Sequence, residues 1–134
     1  MRKVTGFTII ELVVVITILG ILAAVALPKF FDIQVDASNA AAAGFGGAVA
    51  SGAAMNYGAR LAKGAVDNTL VFSVSDCTTA VLGRVLNGGF PVGYSTATGT
   101  FPGAPVNGDT GTCTITSTMT GATAQTFTVI AVQN

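Results

Sequence analysis

Few residues in this chain could do chemistry, and the most conspicuous is an acid in the wrong solvent. Glu11 is the only charged residue in the run Phe7–Leu27, FTIIELVVVITILGILAAVAL. A carboxylate inside a membrane helix costs about 2.5–3.5 kcal/mol on insertion scales, so it usually has a partner and a task. Upstream stand Arg2, Lys3 and the dipeptide Gly6-Phe7. Two cysteines, Cys77 and Cys113, lie far apart in the second half. Beyond a membrane segment, a cysteine pair points to an oxidising compartment and one disulfide. The remaining candidates do not assemble into a catalyst. Histidine is absent, the cysteines lack zinc-ligand spacing, and Asp67, Asp76 and Asp109 are scattered. Asn107-Gly108-Asp109 resembles a fragment of a calcium loop without the alternating acids that such a loop needs. No enzyme, cofactor or metal is expected.

The element that must position Glu11 is a helix. A run of 21 apolar-rich residues, counted from Phe7 to Leu27, spans about 31 Å as a helix, roughly the hydrocarbon thickness of a bilayer. Arg2 and Lys3 place its N-terminus on the cytoplasmic side. Pro28 and Lys29 close the run, so everything beyond is expected outside the inner membrane. A plain single-span anchor has the same outline. So does a secretory signal cut after Ala26, with Ala24-Val25-Ala26 as its small-residue site. Neither has a use for Glu11.

Composition separates two materials. Hydrophobic residues make up 51% of the 134-residue chain and charged residues 9%, against about 25% charged in ordinary globular domains. Six basic residues balance six acidic ones, and no basic cluster lies beyond the extreme N-terminus. Nucleic-acid binding, which needs concentrated positive charge, is therefore not expected.

The run Gly6-Phe7-Thr8-Ile9-Ile10-Glu11-Leu12 resembles the cleavage and methylation motif of type IV prepilins. The resemblance implies a peptidase cut after Gly6, methylation of the new N-terminal Phe7, and Glu11 as the residue governing assembly. It also implies a helix loosened at Gly20 and kinked at Pro28. Partners would be the prepilin peptidase, the assembly machinery and further copies of the chain in a helical filament. The expected function is that of a major pilin in an extracellular filament for attachment to host or abiotic surfaces, with motility a further use. Leu27-Pro28-Lys29-Phe30-Phe31-Asp32-Ile33-Gln34, with Gly89-Phe90-Pro91, is similar to the mannose-sensitive haemagglutinin branch. A type II secretion pseudopilin would share the N-terminus, but such subunits often have acidic calcium loops and lack a C-terminal disulfide loop.

The chemistry of the motif can be stated independently. A cut after Gly6 leaves an ammonium on Phe7, four residues before Glu11. In a helical bundle the carboxylate of one subunit could meet the ammonium of the next. Two buried charges that pair offset much of each other's desolvation, whereas one alone stays costly.

The fold class expected is α+β, with a long N-terminal helix against a small antiparallel sheet. Its divisions are a leader 1–6, an assembly helix 7–28, an amphipathic continuation 29–62 and a β-rich head 63–134. Ala-rich sequence favours helix from Ala37 to Ala62, weakened at Gly44, Gly46 and Gly47. One face is expected under the sheet and the other toward neighbouring subunits. Thr69–Val74 reads as a short strand. Asp76–Leu86 reads as a short helix capped by Ser75 or Asp76 and stopped at Asn87-Gly88-Gly89. Thr112–Thr118 and Thr126–Val132 alternate, with Cys113, Ile115, Phe127 and Val129 inward, and Thr120–Thr123 suits the hairpin turn. Residues 88–111, crowded with glycine and proline, read as a surface loop enclosed by the two cysteines. In the family such a loop is variable and often contacts surfaces or partners.

Overall fold

The structure is a computed structural model that describes residues 6–64, 71–101, 103 and 105–133. Helix α1 runs over Ile9–Lys63, 55 residues, and is unbroken at Gly20, Pro28 and the Gly44–Gly47 cluster. By compactness the chain divides into Met1–Gln34 and Val35–Asn134.

Within the first unit every described residue is exposed. Ile9, Leu12, Ile16, Leu19, Leu22 and Val25 all present more than half of their surface. Among the described residues none covers them. A helix that is apolar all round is buried elsewhere, in a membrane or a bundle, and by length and composition this one can cross a bilayer.

The second unit is an α+β head. The rest of α1 buries Ala42, Gly46, Val49, Ala53 and Asn56, spaced four, three, four and three residues apart, as one helix stripe requires. Against it lies a three-stranded antiparallel sheet in the order β1 (Tyr94–Thr98), β2 (Thr110–Ser117), β3 (Gln125–Ile130). Cys113, Ile115, Phe127 and Val129 point inward and join Ala42, Val49, Ala53 and Leu82 in one core. Both hairpin strands therefore bury the faces that their alternation predicts.

Two glycines of α1 let other elements reach it. A Cβ on Gly46 would lie 3.0–3.2 Å from the Phe127 side chain, and one on Gly52 would overlap the Val85 carbonyl oxygen. Exposed Gly47 has open space where its Cβ would be. Gly52→Ala should therefore destabilise the subunit by about 1–3 kcal/mol or more. Gly47→Ala should stabilise it by up to ~1 kcal/mol through helix propensity. Urea unfolding of the detergent-solubilised subunit, followed by circular dichroism, reads both, and equal midpoints for the two variants would contradict this packing.

Three local expectations need correction. The surface loop expected over 88–111 contains a strand, since residues 94–98 form β1, paired in full register with β2 from Tyr94↔Ser117 to Thr98↔Cys113. Tyr94 packs edge-on against Phe45, ring centroids 5.0 Å apart, and that contact holds a strand the sequence does not advertise. The Thr69–Val74 strand reduces, over its described residues, to a single antiparallel bridge, Val74↔Val132; residues 69 and 70 lie outside the described residues. Asn56 pins the segment instead. Its amide donates to the Phe72 carbonyl and accepts the Phe72 N–H, both at 2.8 Å. The short helix, α2, is only Thr79–Leu82, continued by a 3-10 turn Gly83–Val85. Its N-cap is Thr78, whose hydroxyl accepts the Val81 N–H. The start is delayed because Cys77 is drawn into the core, 1% exposed. The expected stop holds: Gly88 and Gly89 adopt φ of 98° and 81°, open to glycine at little cost.

Candidate functional site

Thr8 precedes the first helical residue, Ile9, and its position explains how Glu11 is held. The Thr8 hydroxyl accepts the Glu11 N–H at 3.3 Å. In return Glu11 Oε2 accepts the Thr8 N–H at 2.8 Å and the Thr8 hydroxyl at 2.7 Å. This is a capping box, Thr-x-x-Glu, in which N-cap and N3 side chains satisfy each other's backbone groups at a helix start. Within the single chain, then, the carboxylate is stabilised by neutral donors and a helix N-terminus, which favours negative charge. The sequence reading missed Thr8. Its signal was present, a threonine three residues before a glutamate at the head of an apolar run.

Phe7, Ile10, Glu11, Val14 and Val15 line one side of this helix start, so the carboxylate sits in an otherwise apolar surface. Phe7 is 86% exposed. The Glu11 carboxylate is the one ionisable side chain of this arrangement. What it offers is a fixed negative charge, at the start of a helix, on a surface that another apolar helix could cover. Gly6 is exposed, while Gly20 and Pro28 lie within α1, which continues through both.

Cys77 and Cys113 form a disulfide, Cα–Cα 5.6 Å, across 36 positions of sequence. Both are buried, so the bond ties the segment before α2 to the central strand β2. Beside it, Asp76 accepts the Thr78 N–H at 2.8 Å and the Ser75 hydroxyl at 3.4 Å. Partial burial would raise its pKa, but the side-chain and backbone hydrogen bonds from Thr78, with that from Ser75, outweigh burial and hold it below the usual value.

The calcium-like fragment has a different task. Asn107 Oδ1 accepts the Gln133 N–H at 2.6 Å, and Asp109 Oδ2 accepts the Val106 N–H at 2.9 Å. The Gly108 N–H donates to the Ala131 carbonyl, and the Ala131 N–H to that of Asp109. This turn fastens the C-terminal segment. Among the described residues no group of three or more His, Cys, Asp or Glu is placed to hold a metal.

No curated protein and no solved structure matches the chain. Residues 1–27 match the family model described as the prokaryotic N-terminal methylation motif. That match covers the residues before the helix, the capping box and the apolar run, and it leaves the head unmatched. The chain thus carries, over its N-terminal fifth, the motif of type IV pilin-like and pseudopilin-like precursors, on an α+β layout of the pilin kind.

Proposed function

We propose that the chain is a pilin subunit: cut after Gly6, methylated on Phe7, and held in the inner membrane by residues 7–28. Polymerised through this helix, it becomes an extracellular filament for attachment. The observation that carries the reading is Glu11, a carboxylate held at the start of a helix that is apolar and uncovered over its first 20 residues or so. Such a surface must be buried by lipid or by copies of itself, and only the second use rewards a charge at a fixed depth. In the bundle, Glu11 leaves its Thr8 donors or shares them, and takes the Phe7 ammonium of a neighbouring subunit. Gly20 and Pro28 are the positions at which the helix would loosen on assembly, glycine by its low helix propensity and proline by its missing N–H.

Between a major pilin and a pseudopilin, the Cys77–Cys113 bond favours the pilus, as does the Asn107–Asp109 loop, whose side chains are spent on a turn. The mannose-sensitive haemagglutinin branch draws no support from the family match, which ends at residue 27.

Processing tests the reading directly. The mature subunit should begin at N-methylated Phe7, seen by intact mass and N-terminal sequencing of membrane and filament fractions. A mature terminus at Leu27 would replace it with a secreted module released by signal peptidase.

A further inference from the structure

Asparagine followed by glycine occurs twice in the chain, at Asn87-Gly88 and Asn107-Gly108. Such a pair has a chemistry of its own. The glycine backbone nitrogen, once it loses its proton, can attack the asparagine side-chain carbonyl carbon, and glycine has no side chain to obstruct the approach. A C–N bond closes a five-membered succinimide and ammonia leaves. Water then opens the ring at either carbonyl, giving aspartate or its backbone-shifted isomer, isoaspartate. Water is the only reagent consumed. Whether the reaction runs depends on a free nitrogen and on a side chain able to turn toward it.

Both asparagines are exposed, so access to solvent does not separate them. Hydrogen bonding does. Asn107 Oδ1 is held by the Gln133 N–H at 2.6 Å. Its would-be nucleophile, the Gly108 nitrogen, donates to the Ala131 carbonyl at 3.0 Å. The Asp109 N–H donates to the Val106 carbonyl at 3.1 Å, and the Val106 N–H to Asp109 Oδ2 at 2.9 Å. Gly108 is also covered, because a Cβ there would stand 2.8 Å from the Tyr57 hydroxyl. Ring closure at this pair has to tear out the turn that fastens the C-terminal segment.

Asn87 has none of these restraints. It lies just past the 3-10 turn Gly83–Val85, and among the described residues neither its side chain nor the Gly88 N–H makes a hydrogen bond. One bond spans the pair, from the Gly89 N–H to the Leu86 carbonyl at 3.3 Å. Gly88 and Gly89 both have positive φ, 98° and 81°, with open space where a Cβ would be. The turn can therefore change shape without displacing a neighbour.

We propose that Asn87 is a self-modification site, converted to aspartate and isoaspartate through attack by the Gly88 nitrogen, while the fold keeps Asn107 intact. The conversion adds a negative charge to a chain whose six basic and six acidic residues otherwise balance. Older subunits then carry an acid that new ones lack. Nothing in this depends on how the N-terminal helix is used.

The test ages the full-length, detergent-solubilised subunit at neutral and mildly alkaline pH. Masses of the peptides on either side of Tyr94 follow the two sites separately, and enzymatic methylation reports isoaspartyl carboxyls. Asn87 should convert at least about tenfold faster than Asn107, because the Asn107 ring must break hydrogen bonds each worth up to about a factor of ten. Both rates should rise with pH, since the glycine nitrogen has to lose its proton. In urea, with the disulfide reduced, the two sites should convert at similar rates. Asn87→Gln, whose longer side chain requires a larger ring, should abolish the charge change in the folded subunit. Equal rates at the two sites in the folded subunit would overturn the proposal. So would an Asn87 that stays intact while the unfolded chain reacts, or a difference between the sites that survives unfolding.

Discussion

Cells carrying Glu11→Ala should accumulate cleaved subunit in the membrane and make no filaments. Insertion is unimpaired or improved, because a charge leaves the apolar span. The cap is weakened, by about 0.5–2 kcal/mol as cap losses go, which frays the helix start without unfolding a head that begins beyond it. Polymerisation suffers far more. The Phe7 ammonium would enter the bundle alone, and stranding one member of a buried pair costs about 3–5 kcal/mol, repeated at every subunit. The hydrogen bonds between Thr8 and Glu11 make a sharper variant available. Glu11→Gln keeps an N3 acceptor for the Thr8 N–H, since glutamine also closes a capping box, but it removes the charge. It should fail to polymerise as alanine does. Membrane-fraction abundance and electron microscopy are read together. Normal filaments from Glu11→Gln would show that the cap and not the charge is what assembly needs.

Breaking the disulfide should have the largest effect on the head itself. Cys77→Ser or Cys113→Ser is expected to lower unfolding stability by about 2–5 kcal/mol, the range for small exported domains. The bond closes a long loop that contains α2 and β1, and both sulfurs are buried, 1% and 0% exposed at the residue level. Serine adds a hydroxyl in the core beside Leu82 and Ile115, where an unpaired polar group is itself costly. The urea midpoint of the solubilised subunit measures the loss. An unchanged midpoint, or free thiols at both positions by non-reducing mass spectrometry of the native subunit, would refute it.

Legibility along this chain follows how local the deciding forces are. The apolar run and Glu11 within it are visible because burying a helix on all sides demands a continuous stretch of one residue class. The hairpin is visible because β2 and β3 each have one wet and one dry face, which imposes alternation on Thr112–Thr118 and Thr126–Val132. The capping box was equally local and could have been read from Thr8 and Glu11 alone. β1 was not legible in the same way. Tyr94-Ser95-Thr96-Ala97-Thr98 has no strong apolar alternation, and it is flanked by Gly93 and Gly99. What makes it a strand is an edge of β2 to bond with and Phe45 to pack on, both distant in sequence.

By itself, then, the amino-acid sequence determined the division into an apolar helix and a charge-poor α+β head, the inward faces of the hairpin, and where the one charge within the apolar run lies. These follow from solvent and from periodicity, which act on neighbours. The tertiary structure alone decided the start of α2 at Thr79, because pulling Cys77 into the core leaves Thr78 as the first residue free to cap. It decided that Val74 makes one bridge rather than a strand, because the Asn56 amide takes the Phe72 backbone that a longer ladder would have used. It also decided which helical glycines matter. Gly46 and Gly52 are closely covered while Gly44 and Gly47 are open, since only the placement of Phe127 and Val85 against one stripe of α1 distinguishes glycines that look alike in the chain.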